Sequence, residues 1–293
     1  MLKNSCIICK NKNFEIISNS LRDSKKYKVI QCCKCSHIQI SPIPKDDEEI
    51  KFYNENLQQK NIHDIKNLKK LYEKSLDDTE RRVKLVSKLS SKKEKILEIG
   101  SGHGFFLEKM NKKGFDITGI EISQEKQKIL KKTTNARILE LDLNHEKLDI
   151  GKFDTIVLFH VLEHMKNPID FLDKCKKNLN FNGKIIVEVP NVNDFQITSN
   201  KEYREFYWQR AHVSYFSPKI LKKIFQENHF KNIKIIGVHR YSIENFFNWK
   251  LNKQPQIENP KYKLESDYLW IDKFYKNKLE KSLKCDTLIV ISQ

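Results

Sequence analysis

Apolar residues fall along this chain in blocks whose spacing alternates between that of buried strands and that of amphipathic helices. Residues 95–99, KILEI, form a nearly continuous apolar run, as a strand covered on both faces requires. Similar runs recur at 116–122 (DITGIEI), 136–143 (ARILELDL), 153–160 (FDTIVLFH) and 184–190 (KIIVEVP). Between them lie stretches of helical spacing, such as the one opened by Phe105, Phe106 and Leu107 and the one from Ile169 to Leu179 behind Pro168. Two later runs, 233–238 (IKIIGV) and 286–292 (DTLIVIS), read as a sixth and a seventh strand. This β-α alternation predicts an α/β fold built on a mostly parallel sheet. Upstream, Leu68, Leu71, Tyr72, Leu76, Val83, Leu85, Val86 and Leu89 fall close to helical spacing. Residues 46–94 therefore read as a polar helical linker or lid, with Ile50, Phe52, Tyr53 and Leu57 as its first apolar anchors. Residues 239–285 are helical and aromatic, an insertion before the last strand.

The turn after the first run carries the most chemistry. Gly100, Gly102 and Gly104 follow with one residue between each. Glycine tolerates positive φ and lets a ligand approach bare backbone. The free amides at the start of the next helix favour a polar ligand. The spacing is neither the G-x-G-x-x-G of dinucleotide sites nor a P-loop. An acid, Glu98, lies inside the strand itself. A second acid, Glu121, closes the second strand, where a carboxylate can accept hydrogen bonds from both hydroxyls of a ribose. The other role open to Glu121 is capping the helix that starts near Ser123.

Composition narrows the class. With 293 residues, 39% of them apolar, the chain can build one large domain and a small module. No apolar run approaches the roughly 18 residues of a membrane span. The first ten residues lack the continuous apolar segment of a signal peptide, which makes a cytoplasmic protein the expectation. The formal net charge is +17. Only seven residues are arginine, so lysine supplies 48 of the 55 basic positions, scattered through nearly every segment. Such scatter reads as a general lysine bias, although a nucleic-acid partner is the competing reading of so basic a chain.

Residues 1–45 read as a module of their own. Cys6 and Cys9 form one C-x-x-C knuckle, and Cys32 and Cys35 a second, separated from the first by 22 residues. Two knuckles place four thiolates around one point, the donor set of a closed tetrahedral zinc site. Phe14 to Ile17 and Tyr27 to Gln31 read as the short strands of a zinc ribbon. Cys33 is an extra thiol; Cys32 is preferred because it keeps the spacing of the first knuckle. Four thiolates leave no open position, so this zinc is structural, and it would supply folding energy that so small a segment lacks.

The stretches ILEIGSGHG, GIEIS, LELDL, FDTIVLFHVLEHMKNP and LNFNGKIIVEVPN resemble, in order, five successive motifs of the class I S-adenosylmethionine (SAM) methyltransferases. The resemblance implies a Rossmann-like seven-stranded sheet over 95–293, whose last strand returns antiparallel between the fifth and sixth. It implies that the glycine loop wraps the methionine part of SAM and that Asp142 meets the adenine amino group. The cofactor contacts implied are Glu98, Gly100, Ser101, Gly102, Gly104, Glu121, Ile122, Asp142, Leu143 and His160. The HVLEH stretch is similar to the ubiquinone-biosynthesis type. The cysteine-rich start, the HVSYFSP stretch at 212–218 and the late insertion are similar to bacterial enzymes that methylate sugars and other small metabolites, some encoded with surface-polysaccharide genes. Related sugar C-methyltransferases commonly carry a Glu-His pair before an SYFS-like stretch. Here the pair is Ala211-His212, which favours transfer to oxygen.

A hydroxyl must lose a proton to attack a methyl group, and a histidine titrating near neutrality suits that task. His212 ranks first as the base, because it follows the fifth strand in a region rich in Tyr203, Tyr207, Trp208 and Arg210; His164 ranks second. The acceptor expected is a small, sugar-containing molecule. RNA is the alternative acceptor, and the loop after the fourth strand lacks the Asn/Asp-Pro-Pro-Tyr/Phe type used on base nitrogens.

Overall fold

The computed structural model describes residues 5–46, 48, 68–141, 149–255 and 263–293. The anchors expected at Ile50, Phe52, Tyr53 and Leu57 lie outside the described residues, as do Asp142 and Leu143. The N-terminal strands are β1 (Phe14–Ser18), β2 (Lys28–Cys32) and β3 (Ile38–Ser41). Helix α1 (Leu68–Leu89) leads to β4 (Lys95–Ile99), α2 (Phe105–Lys112), β5 (Asp116–Ile120), α3 (Gln124–Thr133) and β6 (Arg137–Leu139). Then come β7 (Phe153–Phe159), a 3-10 turn at Leu162–His164, α4 (Pro168–Lys177) and β8 (Leu179–Pro190). The chain ends with α5 (Phe195–Ser199), α6 (Lys201–Tyr207), β9 (Ser214–Tyr215), α7 (Pro218–Glu227), β10 (Lys234–Val238), α8 (Ile243–Asn252), α9 (Leu269–Lys281) and β11 (Thr287–Ser292).

Seven strands form the main sheet in the order β10-β11-β8-β7-β4-β5-β6. β7 lies at its centre, and the neighbouring β4 runs parallel to both β5 and β7. β11 stands between β8 and β10 and runs antiparallel to β10, the return expected of the last strand. The apolar runs become central strands for the reason read from sequence: Ile96, Leu97, Ile99, Ile156, Val157 and Leu158 are fully buried. β8 starts at Leu179, five residues before the run read at 184–190, and the side-chain amide of Asn180 donates to the Asp154 carboxylate of the neighbouring β7 at 2.7 Å.

By contact, the residues fall in two units. One comprises 44–161, 170–187 and 292–293 and holds β4 to β7. The other comprises 1–43, 162–169 and 188–291. In the second unit the N-terminal segment, expected as a module of its own, shares a four-stranded sheet, β1-β2-β3-β9, with a strand 170 residues downstream. Ile38 pairs with Tyr215 and Gln39 with Ser214. β3 was not expected from the sequence.

In the first unit, Gly104 closes the turn before α2 at φ +79°, and a Cβ there would lie 2.0 Å from a methyl of Leu130, which is fully buried in α3. Both strain and overpacking oppose any side chain at this position. Gly104→Ala should therefore destabilise the protein by about 2–4 kcal/mol, read as a lowered midpoint in urea unfolding. An unchanged midpoint would show that the turn has room to relax.

Candidate functional site

The loop after β4 is held by backbone before any ligand is considered. The Gly100 and Ser101 amides both donate to the Ile120 carbonyl at 2.9 Å, and the Gly104 amide donates to Ser101 at 2.8 Å. Gly100 sits at φ +76° with a Val161 methyl 2.6 Å from where its Cβ would be, so only glycine fits. Gly102 differs: at φ +58° a Cβ would meet nothing within 4 Å. The loop thus presents its middle residue to open space. Gly104 leaves the first turn of α2 with no side-chain cap.

Two buried acids flank this opening. Glu121 accepts the Gly102 amide on Oε2 at 2.7 Å and the Ser123 amide on Oε1 at 2.9 Å. Ser123, not Glu121, caps α3, its hydroxyl accepting the Lys126 amide. Each Glu121 oxygen retains a second lone pair for a hydroxyl ligand. Glu98 lies on β4, where it stands opposite Gly119 of β5 on one side and Val157 of β7 on the other. Burial pushes its carboxyl up to about 8, despite the Ser101 hydroxyl and the Arg82 charge pulling downward. Its Oε2 is buried and finds no hydrogen-bond partner among the described residues. A buried carboxyl in that state fits a cationic ligand, and SAM carries both an ammonium and a sulfonium charge. Of the other expected cofactor residues, Ser101 is buried, Ile122 is exposed, and His160 directly follows β7 at φ +59°.

The cysteine cluster is formed in the second unit. The sulfurs of Cys6, Cys9, Cys32 and Cys35 all lie within 4.8 Å of one another, and none forms a disulfide. Cys6 approaches Cys35 at 3.6 Å and Cys9 approaches Cys32 at 3.5 Å. Cys33 is exposed and outside the cluster. Burial pushes the Cys6 thiol up to about 11. At Cys32 the same burial is overruled by the Cys35 and Lys34 amides, which bring the thiol down to about 6. Amides aimed at sulfur stabilise thiolate, the form that binds zinc.

His164 and His212, read from sequence as separate candidates, are neighbours in the same unit. Their rings stand 5.3 Å apart, edge to face. His164 lies on the 3-10 turn after β7, and its Nδ1 is 2.6 Å from the Ala211 carbonyl. A carbonyl only accepts, so Nδ1 carries the proton and Nε2 holds the lone pair. Gln209 turns its amide oxygen to Arg22 and its nitrogen to His212, 2.9 Å from Nε2. Glu163, beside His164, is buried in the same cluster. Its separation of 49 residues from His212 left no signal of their meeting.

A family model described as a methyltransferase domain matches residues 65–235, more than half of the chain. The ubiquinone biosynthesis O-methyltransferase of Psychrobacter cryohalolentis is 26% identical over 160 residues, covering 50% of this chain and 62% of that enzyme. A tRNA U34 carboxymethyltransferase of Mannheimia succiniciproducens is 27% identical over 164 residues, covering 51% of this chain and 49% of that enzyme. The chain thus spans less than two thirds of the length of these relatives. Among solved structures, a chain of the complex between the Haloferax volcanii Trm112 methyltransferase activator and the putative methyltransferase superposes with a TM-score of 0.53 at 14% identity, over 77% of this chain and 92% of that one. A SAM-dependent methyltransferase of Thermotoga maritima, a possible histamine N-methyltransferase, gives 0.50 at 16% identity, over 78% and 96%. At such identities these two likenesses show a shared fold.

The geometry of the cysteine cluster predicts about one zinc per chain by elemental analysis of protein purified without chelator. Cys32→Ser should lose the metal and Cys33→Ser should keep it. Metal retained by Cys32→Ser and lost by Cys33→Ser would move the ligand to the exposed thiol.

Proposed function

This chain belongs to the class I methyltransferase family, and we propose that it transfers a methyl group from SAM to a hydroxyl oxygen of a small, sugar-containing acceptor. The observation that carries the SAM half is the pairing of an unpartnered buried carboxylate oxygen on Glu98 with open space over Gly102. When bound, SAM supplies a methyl on positively charged sulfur, open to in-line attack. Glu98 and the 100–104 loop would hold its methionine end, Glu121 the ribose hydroxyls, Ile122 and His160 the adenosine side, and Asp142 and Leu143 the adenine. The protein's contribution is then to orient the two reactants and to take a proton from the acceptor.

The oxygen acceptor is supported by the histidine pair. His212 and His164 are the proton-accepting groups of this reading, with the Ala211 carbonyl presenting the lone pair of His164. Ala211 itself replaces the acid that carbon methylation would use. The Cys6, Cys9, Cys32 and Cys35 zinc is structural in this reading. A second acceptor, RNA, is favoured by the net charge of +17 and by the likeness to an enzyme named for tRNA. A SAM-consumption screen over nucleotide sugars and RNA separates the two.

Two outcomes test the reading. A Glu98 carboxyl raised to about 8 against an ordinary 4.5 holds its proton in the folded protein. Its contribution to stability is therefore complete below about 4.5 and is lost as pH rises through 8. A bound cation displaces that proton, so SAM affinity should climb with pH, by up to about tenfold per unit, and level off above 8. Glu98→Gln should bind SAM more weakly, show no such climb, and unfold at a higher temperature at alkaline pH. Calorimetry giving a flat profile for the wild-type protein would remove Glu98 from the cofactor site.

His212→Ala and His164→Ala should each lower turnover by roughly 10²–10⁴-fold with SAM affinity nearly unchanged. Near-normal turnover in both would show that orientation alone drives the transfer.

A further inference from the structure

The second unit buries more hydrogen-bonding capacity than it uses. Gln196 of α5 is 0% exposed, yet neither the oxygen nor the nitrogen of its side-chain amide meets a partner among the described residues. The Tyr207 hydroxyl of α6, the Tyr275 hydroxyl of α9 and His239 Nε2 just after β10 are buried and unpartnered in the same way. Each such group costs free energy unless something else satisfies it. All four residues adjoin one pair of buried acids, Asp194 and Asp286. Asp194 Oδ1 accepts the backbone amide of Gln196 at 3.0 Å, and the Asp286 amide donates to His239 Nδ1 at 3.2 Å. The His239 and Tyr275 rings stand 5.1 Å apart. Burial holds the Tyr207 and Tyr275 hydroxyls above their usual range, with the charges of Asp194 and Asp286 among the further causes.

We infer that Gln196, Tyr207, His239 and Tyr275 form a binding site for the non-reacting hydroxyls of a neutral, pyranose-type ligand. The chemistry of the unpartnered atoms selects the class. The Gln196 amide offers both donors and an acceptor, and each tyrosine hydroxyl can donate and accept. An ammonium group only donates, so it would leave the Gln196 nitrogen without a partner. A phosphate or carboxylate only accepts, so it would leave the Gln196 oxygen without one. Such an anion would also face Asp286, whose carboxyl stays below its usual range because Arg240 and His239 overrule its burial. A hydroxyl both donates and accepts, and it suits His239 Nε2 in either tautomer.

Aromatic rings surround these polar atoms. Tyr203, whose hydroxyl donates to Asp194 Oδ2 at 2.7 Å, stands 6.4 Å from the Tyr207 ring and 5.2 Å from that of Trp249. Phe246 stands 6.1 Å from Tyr275. Apolar walls with a few convergent polar groups are the usual make-up of a small-molecule site. A pyranose matches that mixture, since its C–H face is apolar and its edge carries hydroxyls. Tyr207 and Tyr275 are themselves half-buried, with their hydroxyls inside, so the polar atoms are reached from the surface along these two side chains.

The use of the site rests on the acceptor reading above, whose binding half it supplies. From Tyr207 the ring contacts run to Tyr215 at 5.6 Å and from there to His212 at 5.9 Å. The cluster thus lies two ring contacts from the histidine read as the base. Hydroxyls held there would fix the acceptor while another hydroxyl reacts, which is orientation bought by groups remote from the chemistry. Binding at the cluster requires no SAM, so it can be tested alone.

The experiment is saturation-transfer nuclear magnetic resonance on the full chain, with the methyl pyranosides of glucose, galactose, mannose and rhamnose as probes. Wild type should saturate the ring protons of at least one of them. Gln196→Leu and Tyr207→Phe should each weaken that binding about tenfold. Phe181→Ser, at a fully solvated position of β8, should leave it unchanged. Urea unfolding needs no ligand. Removing an unpartnered hydroxyl relieves a buried cost, so Tyr207→Phe and Tyr275→Phe should unfold at the same urea concentration as wild type or a higher one. A lowered midpoint in both would show the hydroxyls already satisfied in the folded chain and would overturn the site. Failure of wild type to saturate any of the four probes overturns it as well, as does binding that Gln196→Leu and Tyr207→Phe leave intact. Methyl transfer to a sugar whose KM these variants do not change would overturn the site and keep the functional reading; pyranoside binding in a protein that transfers no methyl would do the reverse.

Discussion

The first unit depends on a turn that is already closed before cofactor arrives. Two consecutive amides, those of Gly100 and Ser101, share the carbonyl of Ile120, and the Glu121 carboxylate receives the amide of Gly102. These bonds lock the end of β4 to the end of β5. They can form only because Gly100 has no side chain to meet Val161. With the turn fixed, the loop exposes backbone at Gly102 and keeps Glu98 behind it, away from water. The cost of holding that carboxyl inside the sheet is tolerated where a cationic ligand would compensate it.

In the second unit a different constraint operates. The cysteine knuckles form a small core that cannot bury much apolar surface, and a metal would supply the missing folding energy. That core is wired to the loop bearing His212. β3 pairs with β9, Arg22 donates to the Phe206 carbonyl at 3.1 Å and to Gln209, and the Arg210 amide donates to Asp23 at 2.9 Å. Arg210 also stacks its guanidinium over Tyr27, 4.9 Å from the ring centre. The N-terminal segment is therefore part of the scaffold that aims Gln209 and His212. The four-cysteine cluster and the loop bearing His212 are thus tied together through one sheet.

The same unit carries a polar interior beside its aromatic residues. Asp286, at the entrance of β11, accepts the Arg240 amide and Nε, each at 2.7 Å. Burial alone would raise its carboxyl, but Arg240 and His239 overrule it and keep the group below the usual range. Asp194 has no such cation in contact: burial, then the charge of Asp286, pushes it up to about 7 while its Oδ2 accepts the Tyr203 hydroxyl. Two aspartates with opposite shifts show how far local partners, and not residue type, decide the charge of a buried acid.

Periodicity alone determined most of the fold. The apolar runs at 95–99, 116–122, 153–160 and 184–190 become β4, β5, β7 and β8, because a strand buried on both faces must be apolar throughout, and the late runs become β10 at the sheet edge and β11 beside it. The glycine spacing, the two acids and the two C-x-x-C knuckles were equally legible, since each depends on a few neighbouring residues. What only the tertiary structure decided are the meetings between distant segments. β3 pairs with a two-residue strand at 214–215, too short to register as a pattern. Glu163 and His164 meet His212 across 48 or more residues, and the Ala211 carbonyl chooses the tautomer of His164. No local rule encodes those contacts. They arise only when separated chain segments are packed against one another.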